Sequence, residues 1–354
     1  MHRKTLPATV IALALATPLA AQAQSPAPSN SNVTIYGLID INLAVERAGS
    51  QRRTGVDHSE LNGTRFGFRG SEDLGNGLKA IFTMEGGFDP SAGGSEQGGR
   101  LFGRQSFVGL EGGWGRVTLG RQYSPAFVAI DPFDATGSAD RSPGLLSRKA
   151  GSVRPAYEVR FDNMVKYRSP EFAGFSADVG YWLGEKNGSS SDARREGNGW
   201  GIAGLYKNGP IAGSLVTQSM QRDATGGKVR TDGLGFSYDF GPVKAYLAYT
   251  RDKESGSQGD GKARTYDIGA EIKAGPQGTV AISYANRNES EDAAGEDAHG
   301  WSVYYLHDLS KRTTLYTGYS QLTNKDNANY AIGNLTPAAG DDPRVVMAGI
   351  RHKF

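Results

Sequence analysis

Side chains able to do covalent chemistry are scarce in this sequence. None of the 354 residues is a cysteine, which excludes thiolate nucleophiles, thiolate metal sites and disulfides. Past residue 23 the histidines are His58, His299, His307 and His352. No G-x-S-x-G elbow, H-E-x-x-H pair or P-loop sets any of them to work. The acidic residues Asp260, Glu291, Asp292, Glu296 and Asp297 stand in polar stretches and read as solvated loop rather than metal ligands, so no cofactor and no enzyme activity is expected. What the chain does carry is fixed charge, 21% of its residues, much of it inside segments that otherwise alternate. A guanidinium stays ionised at any physiological pH, so its work is electrostatic, such as selecting ions in a water-filled passage.

The segments that hold these charges read as strands. From Val33 to Val45, Val33, Ile35, Gly37, Ile39, Ile41, Leu43 and Val45 share one face. Thr34, Tyr36, Leu38, Asp40, Asn42 and Ala44 share the other, a period of two sustained over a long strand. The same pattern recurs at 175–184, 243–250, 265–274 and 346–354. The register of 104–110 and 117–123 stays open, because arginines there share a face with Val or Leu. Connections take turns between short and long. Short ones are tight and rich in Gly, Pro, Asn or Asp, as at 72–77, 112–115, 169–174, 207–210, 241–242, 275–278 and 310–312. Long ones are polar, at 47–61, 89–99, 124–157, 187–197, 222–230, 253–263, 288–299 and 323–342. Eight long and seven short connections join sixteen strands. Such alternation is expected of an all-β, antiparallel, up-and-down transmembrane barrel with its apolar face to lipid and its polar face to water.

A sandwich explains the composition less well. Its two inner faces need more apolar residues than 38% of the chain, and mid-strand ions in a dry core are costly. A closed barrel satisfies every backbone group. Aromatic residues near strand ends (Tyr36, Trp114, Phe172, Phe175, Tyr206, Phe240, Trp301 and Tyr316) are expected to form interfacial girdles.

Residues 1–23 read as a secretory signal: Arg3 and Lys4 lead an apolar stretch from Ala8 to Ala21, and Ala21-Gln22-Ala23 supplies a cleavage site. Residues 24–32 read as a flexible leader and 33–354 as the barrel. Cleavage takes two basic residues off 39 and leaves 37 against 37 acidic ones. That balance does not suggest a nucleic-acid partner.

The stretches Val33–Asp40, Thr64–Gly75, Gly77–Phe82, Phe102–Leu110, Leu119–Tyr123, Asp162–Pro170 and Gly349–Phe354 together resemble the general diffusion porins of Gram-negative outer membranes, in particular the β-proteobacterial and neisserial branch. The resemblance runs over nearly all of 33–354. It implies a sixteen-stranded outer-membrane barrel, a homotrimer, whose third long loop (here 124–157) folds inward. It places Arg65, Arg104 and Arg160 on the wall facing that loop, with Arg69 and Arg121 as further wall candidates. The loop's carboxylates are Asp131, Asp134 and Asp140, although Asp131 and Asp134 also suit a turn-forming role. Because 124–157 also holds Arg141, Arg148, Lys149 and Arg154, a mild anion preference is expected. Phe354 resembles the terminal aromatic signal read by the barrel-insertion machinery, with His352 departing from the usual apolar aromatic. Lipid and lipopolysaccharide are the implied surroundings, and divalent bridging to lipopolysaccharide finds no support in the acidic spacing. The alternatives are a substrate-specific channel with a saturable site and a structural or adhesive barrel.

Overall fold

The alternation that opens the sequence becomes β1 (Asn32–Ala48), a strand whose apolar face is the exposed one. Ile35 and Leu43 are 66% and 55% exposed, while Asp40 and Glu46 on the opposite face are 0% and 1%. A water-soluble protein sorts its residues the other way. The inversion fits a wall with lipid outside and polar contents within. This computed structural model describes residues 32–136, 158–256, 260–289 and 297–354. The expected signal and nearly all of the leader lie outside the described residues, as do Asp140, Arg141, Arg148, Lys149 and Arg154.

A tight turn after β1 leads into β2 (Gln51–His58), and past residues 59–64 the chain resumes as β3 (Arg65–Gly75). β2 pairs with the second half of β1 and β3 with its first half, so the two share one position in the wall. Next come β4 (Leu78–Gly87), β5 (Gln105–Gly112), β6 (Gly115–Tyr123), β7 (Arg160–Arg168) and β8 (Phe175–Trp182). They are followed by β9 (Gly199–Asn208), β10 (Ile211–Gln221), β11 (Lys228–Asp239), β12 (Val243–Glu254) and β13 (Gly261–Lys273). The last are β14 (Gly278–Glu289), β15 (Ala298–Asp308), β16 (Thr313–Asn324) and β17 (Arg344–Lys353). Every neighbouring pair is antiparallel, and β17 returns to β1 from Leu38↔Lys353 to Arg47↔Arg344. Seventeen strands among the described residues therefore build a closed barrel of sixteen wall positions. No helix among them is long and apolar enough to cross a membrane.

The first expected long connection, 47–61, is mostly strand. Its polar residues belong to the inner face of a hairpin, where Arg53 bridges Glu46 at 3.1 Å and Asp57 at 2.6 Å. The real departure from the wall is 59–64, drawn inward by Asp40, which accepts from the Leu61 and Asn62 amides at 2.6 and 2.9 Å and from the Tyr316 hydroxyl. Tyr36 and Tyr316 are consequently not girdle residues. The first donates to Glu85 at 3.0 Å, and both face the interior. Other aromatics do face outward near the strand ends, with Phe172, Phe175 and Phe240 toward the short turns and Tyr181, Trp200 and Trp301 toward the long connections.

The last long connection also enters the barrel. Ala328, Tyr330 and Ile332 pack on Ala44, Tyr304, Leu322, Val345 and Met347, all on inner faces of the wall. Tyr330 accepts from Arg287 and donates to Glu289, and burial keeps its hydroxyl above the ordinary tyrosine pKa while the Arg287 charge pulls the other way. Asn334 reaches Glu46 and Asp57 across 288 and 277 residues of sequence.

Candidate functional site

The register decides which charges enter the lumen. Ile35 opposes Phe68 on the outward face, so Arg65, Gly67 and Arg69 of β3 point inward, as does Glu85 opposite Gly67. Arg104 precedes β5 and turns in to meet Glu85, Nε to Oε1 at 2.9 Å, with both side chains buried. Its Nη2 donates to the Tyr123 hydroxyl at 2.9 Å. Arg160 donates to the same hydroxyl at 3.2 Å and lies over the Tyr123 ring at 4.6 Å. Arg65 stands within electrostatic reach of Arg104, Tyr123 and Glu85. Arg69 lies over the ring of Tyr36 at 5.1 Å, and Tyr36 in turn holds Glu85. Four guanidinium groups thus surround one carboxylate, with tyrosines as spacers.

Arg121 does not join them. Gly120 adopts φ +133 in a bulge that shifts the β6–β7 register, and Arg121 follows it on the side of Ser106, the outward face shared with Val108 and Leu119. There it pairs with Asp162 at 2.7 Å, which Arg100 also holds at 2.9 Å. A bulge re-aims the side chains that follow it, which is why simple alternation left this stretch open.

Below the arginine group lies a second basic set, missed in the sequence because its members sit one per strand. Lys166 and Arg168 of β7 reach the buried Asp178 of β8 at 3.1 and 3.4 Å. Arg116 joins them around a small inner cavity that is also lined by Gln105, Gln122, Tyr123 and Val128. Between β3 and β8 the inner wall therefore gathers Arg65, Arg69, Arg104, Arg116, Arg160, Lys166 and Arg168 around Glu85 and Asp178.

Residues 124–136 cross the lumen from this wall. Ser124 caps α1 (Pro125–Ile130), its hydroxyl accepting from the Phe127 amide at 3.1 Å, and Pro125 takes the first position, where no amide is needed. A 3₁₀ turn, Asp131–Phe133, follows. Ala126, Ala129, Ile130 and Phe133 pack on Ala203, Val216 and Ala248, inward residues of β9, β10 and β12. Ser214 donates to the Ala129 carbonyl at 2.5 Å and Gln218 accepts from the Ala126 amide at 3.2 Å. Gly235 makes room, since a Cβ there would come within 2.1 Å of the Phe133 ring.

This path delivers Asp131 and Asp134 toward the far side of the lumen. Asp134 accepts from the amide and hydroxyl of Thr136 at 2.8 and 2.7 Å, the turn geometry its residue type suits. It also lies within electrostatic reach of Asp267 on β13 and Tyr246 on β12. Inner carboxylates collect there: Asp267 accepts from Ser283, Glu271 accepts from Tyr246, and Asp252 with Glu289 flanks Arg287. Roughly half the barrel's circumference separates β3–β7 from β12–β14, so the lumen has a cationic wall and an acidic one.

Phe354 closes the chain against β1, exchanging two backbone hydrogen bonds with Gly37 at 3.0 and 3.1 Å. Its ring occupies the space a Gly37 Cβ would fill, 2.4 Å away. Of the histidines, His58 stands between Asp89 and Glu96 at 3.5 and 3.4 Å, and no nucleophile is among its hydrogen-bond partners beyond the neighbouring Ser59 hydroxyl.

A sequence model of the Gram-negative porin family matches residues 8–327. The chain is 36% identical over 347 residues to outer membrane porin protein 32 of Delftia acidovorans, covering 92% of this chain and 94% of that one. It is 30% identical over 366 residues to major outer membrane protein P.IB of Neisseria meningitidis, covering 98% and 99%. Among solved structures, an anion-selective porin from Comamonas acidovorans superposes with a TM-score of 0.81 at 32% identity, over 92% of this chain and all of the other.

Proposed function

The chain belongs to the Gram-negative porin family, and from that premise we propose that its lumen passes small hydrophilic solutes and ions by diffusion with a mild preference for anions. It is an outer-membrane β-barrel channel and not an enzyme. The observation that carries the anion preference is the inner wall from β3 to β8, where seven cations surround Glu85 and Asp178. Fixed charges lining a water-filled passage set the local ion concentrations. The relative solved as an anion-selective porin supports the same sign.

In this reading Arg65, Arg104, Arg160 and Arg69 line the narrow section. Asp131, Asp134 and Asp140 belong to the third long loop that narrows it, and a transverse field runs between the two walls. Arg121 acts at one remove, pairing Asp162 beside the rim. Residues 1–23 direct export, Phe354 serves as the assembly signal, and three copies form the working unit. Reversal potential across a planar bilayer under a salt gradient tests the central claim. An anion-favouring potential that weakens in Arg65→Gln/Arg160→Gln supports it. A cation-favouring potential, or one indifferent to the double substitution, overturns it. Saturation of conductance by one solute would favour a substrate-specific channel instead.

A further inference from the structure

Basic residues also gather where they do nothing for the pore. On β11–β13 the register aligns Arg230 with Lys253 and Lys253 with Lys262 in one row, and Arg251 with Arg264 in the row beneath. All five point outward. Their neighbours Thr231, Asp252, Ala263 and Thr265 are the buried, lumen-facing residues of the same strands. Further down the same outward face come Tyr249 and Tyr266 opposite each other, then Leu247 and Ile268 in the exposed apolar belt. The cations therefore form a band just beyond the aromatic level, on the side of the long connections.

Like charges set directly opposite on adjacent strands repel one another, and the local carboxylates do little to offset five of them. Asp232 is engaged by Arg230 at 2.9 Å and Thr217 at 2.8 Å. Glu254 is engaged by Arg222. Asp260 stands at the groove's edge. The row also borders a groove of about 540 Å³, floored by Arg230, Lys253 and Lys262 and flanked by the half-exposed Trp200. A ring at the membrane interface beside clustered cations suits a ligand with an apolar body and an anionic head.

We propose that this groove binds the phosphate groups of a phosphorylated glycolipid in the leaflet on the long-connection side. Arg230, Lys253 and Lys262 contact the phosphates, Arg251 and Arg264 hold the charge deeper at the interface, and Trp200 packs against the sugar or the first acyl carbons. The site is on the lipid face, so it anchors the barrel in its leaflet without altering conduction.

Native mass spectrometry of the detergent-solubilised full chain tests this, with three probes: a diphosphorylated glucosamine-disaccharide lipid, the same lipid without phosphates, and inorganic phosphate. The wild type retains the diphosphorylated lipid. Arg230→Gln/Lys253→Gln/Lys262→Gln weakens retention at least about tenfold, as expected for losing three interfacial cations. Lys253→Gln alone gives a smaller loss and keeps the test open should the triple variant fold poorly. Single-channel conductance and reversal potential stay at wild-type values in both. Equal retention by the triple variant, or by the wild type of the phosphate-free lipid, overturns the proposal. Displacement by equimolar inorganic phosphate would assign the groove to a free anion and overturn the lipid. A matched variant at another outward rim row, Arg47→Gln/Arg52→Gln/Arg344→Gln, leaves retention intact. An equal loss there would mean diffuse attraction and overturn the localised site.

Discussion

Arg104 carries two duties that its neighbours do not share. It neutralises the buried Glu85 at 2.9 Å and donates to Tyr123, whereas Arg65 and Arg160 add charge without being the direct partner of a buried acid. Arg104→Gln leaves Glu85 buried and uncompensated, and removing one partner of such a pair costs about 3–5 kcal/mol. The expected result is a lower thermal transition, read by circular dichroism in detergent. Arg65→Gln/Arg160→Gln lowers the anion-to-cation permeability ratio with little change in that transition. Similar thermal losses in both variants would refute this division of roles. Asp40 is the other residue with consequences beyond itself, since it anchors 59–64 through two amides and the Tyr316 hydroxyl. Asp40→Ala strips all three donors of their acceptor, at about 1–3 kcal/mol each. Proteolysis at 59–64, resisted by the wild type, is the readout. Unchanged resistance would show that the segment is held by other contacts.

At the scale of elements, the segment 124–136 stays inside the barrel because small residues on β9–β12 leave it a bed. Gly235 faces Phe133, and Ala203 and Ala248 lie under the helix. Gly235→Val puts methyl groups where the Phe133 ring stands, so the segment is pushed off the wall and single-channel conductance changes. Conductance identical to wild type would show that the segment re-seats without affecting the passage. The bulge at Gly120 is a second such device. At φ +133, with a Cβ falling 2.2 Å from the Ser106 carbonyl oxygen, it admits no side chain. Gly120→Ala costs on the order of 1–3 kcal/mol in backbone strain and perturbs the Arg121–Asp162–Arg100 contact, which a lowered thermal transition reports.

For the whole molecule, the separation of cationic and acidic walls makes selectivity sensitive to screening. The Debye length falls from about 10 Å at 0.1 M salt to about 3 Å at 1 M, so the anion preference declines over that range. A preference independent of salt would place its origin in steric fit rather than in wall charge. Trimerisation predicts an oligomer band on unboiled gels that collapses on boiling, and conductance steps arriving in threes. A monomer band in unboiled samples would count against it.

The period-two pattern by itself determined the strands, their lipid-facing sides and the alternation of turns, because one methylene-rich face per strand is all a barrel in lipid asks of its sequence. The ordered motifs from Val33 to Phe354 determined the family. Tertiary structure alone decided which arginines meet. Arg65, Arg104 and Arg160 lie 39 and 56 residues apart along the chain, and only strand register brings them to one tyrosine, while a single bulge turns Arg121 away. Tyr36 and Tyr316 looked interfacial by their position near strand ends, yet the partners Glu85 and Asp40 draw them inward. The polar segments 59–64 and 325–343 read as loop because they are irregular. Their inward course rests on hydrogen bonds reaching as far as 288 residues along the chain, and no local pattern encodes a partner at that distance.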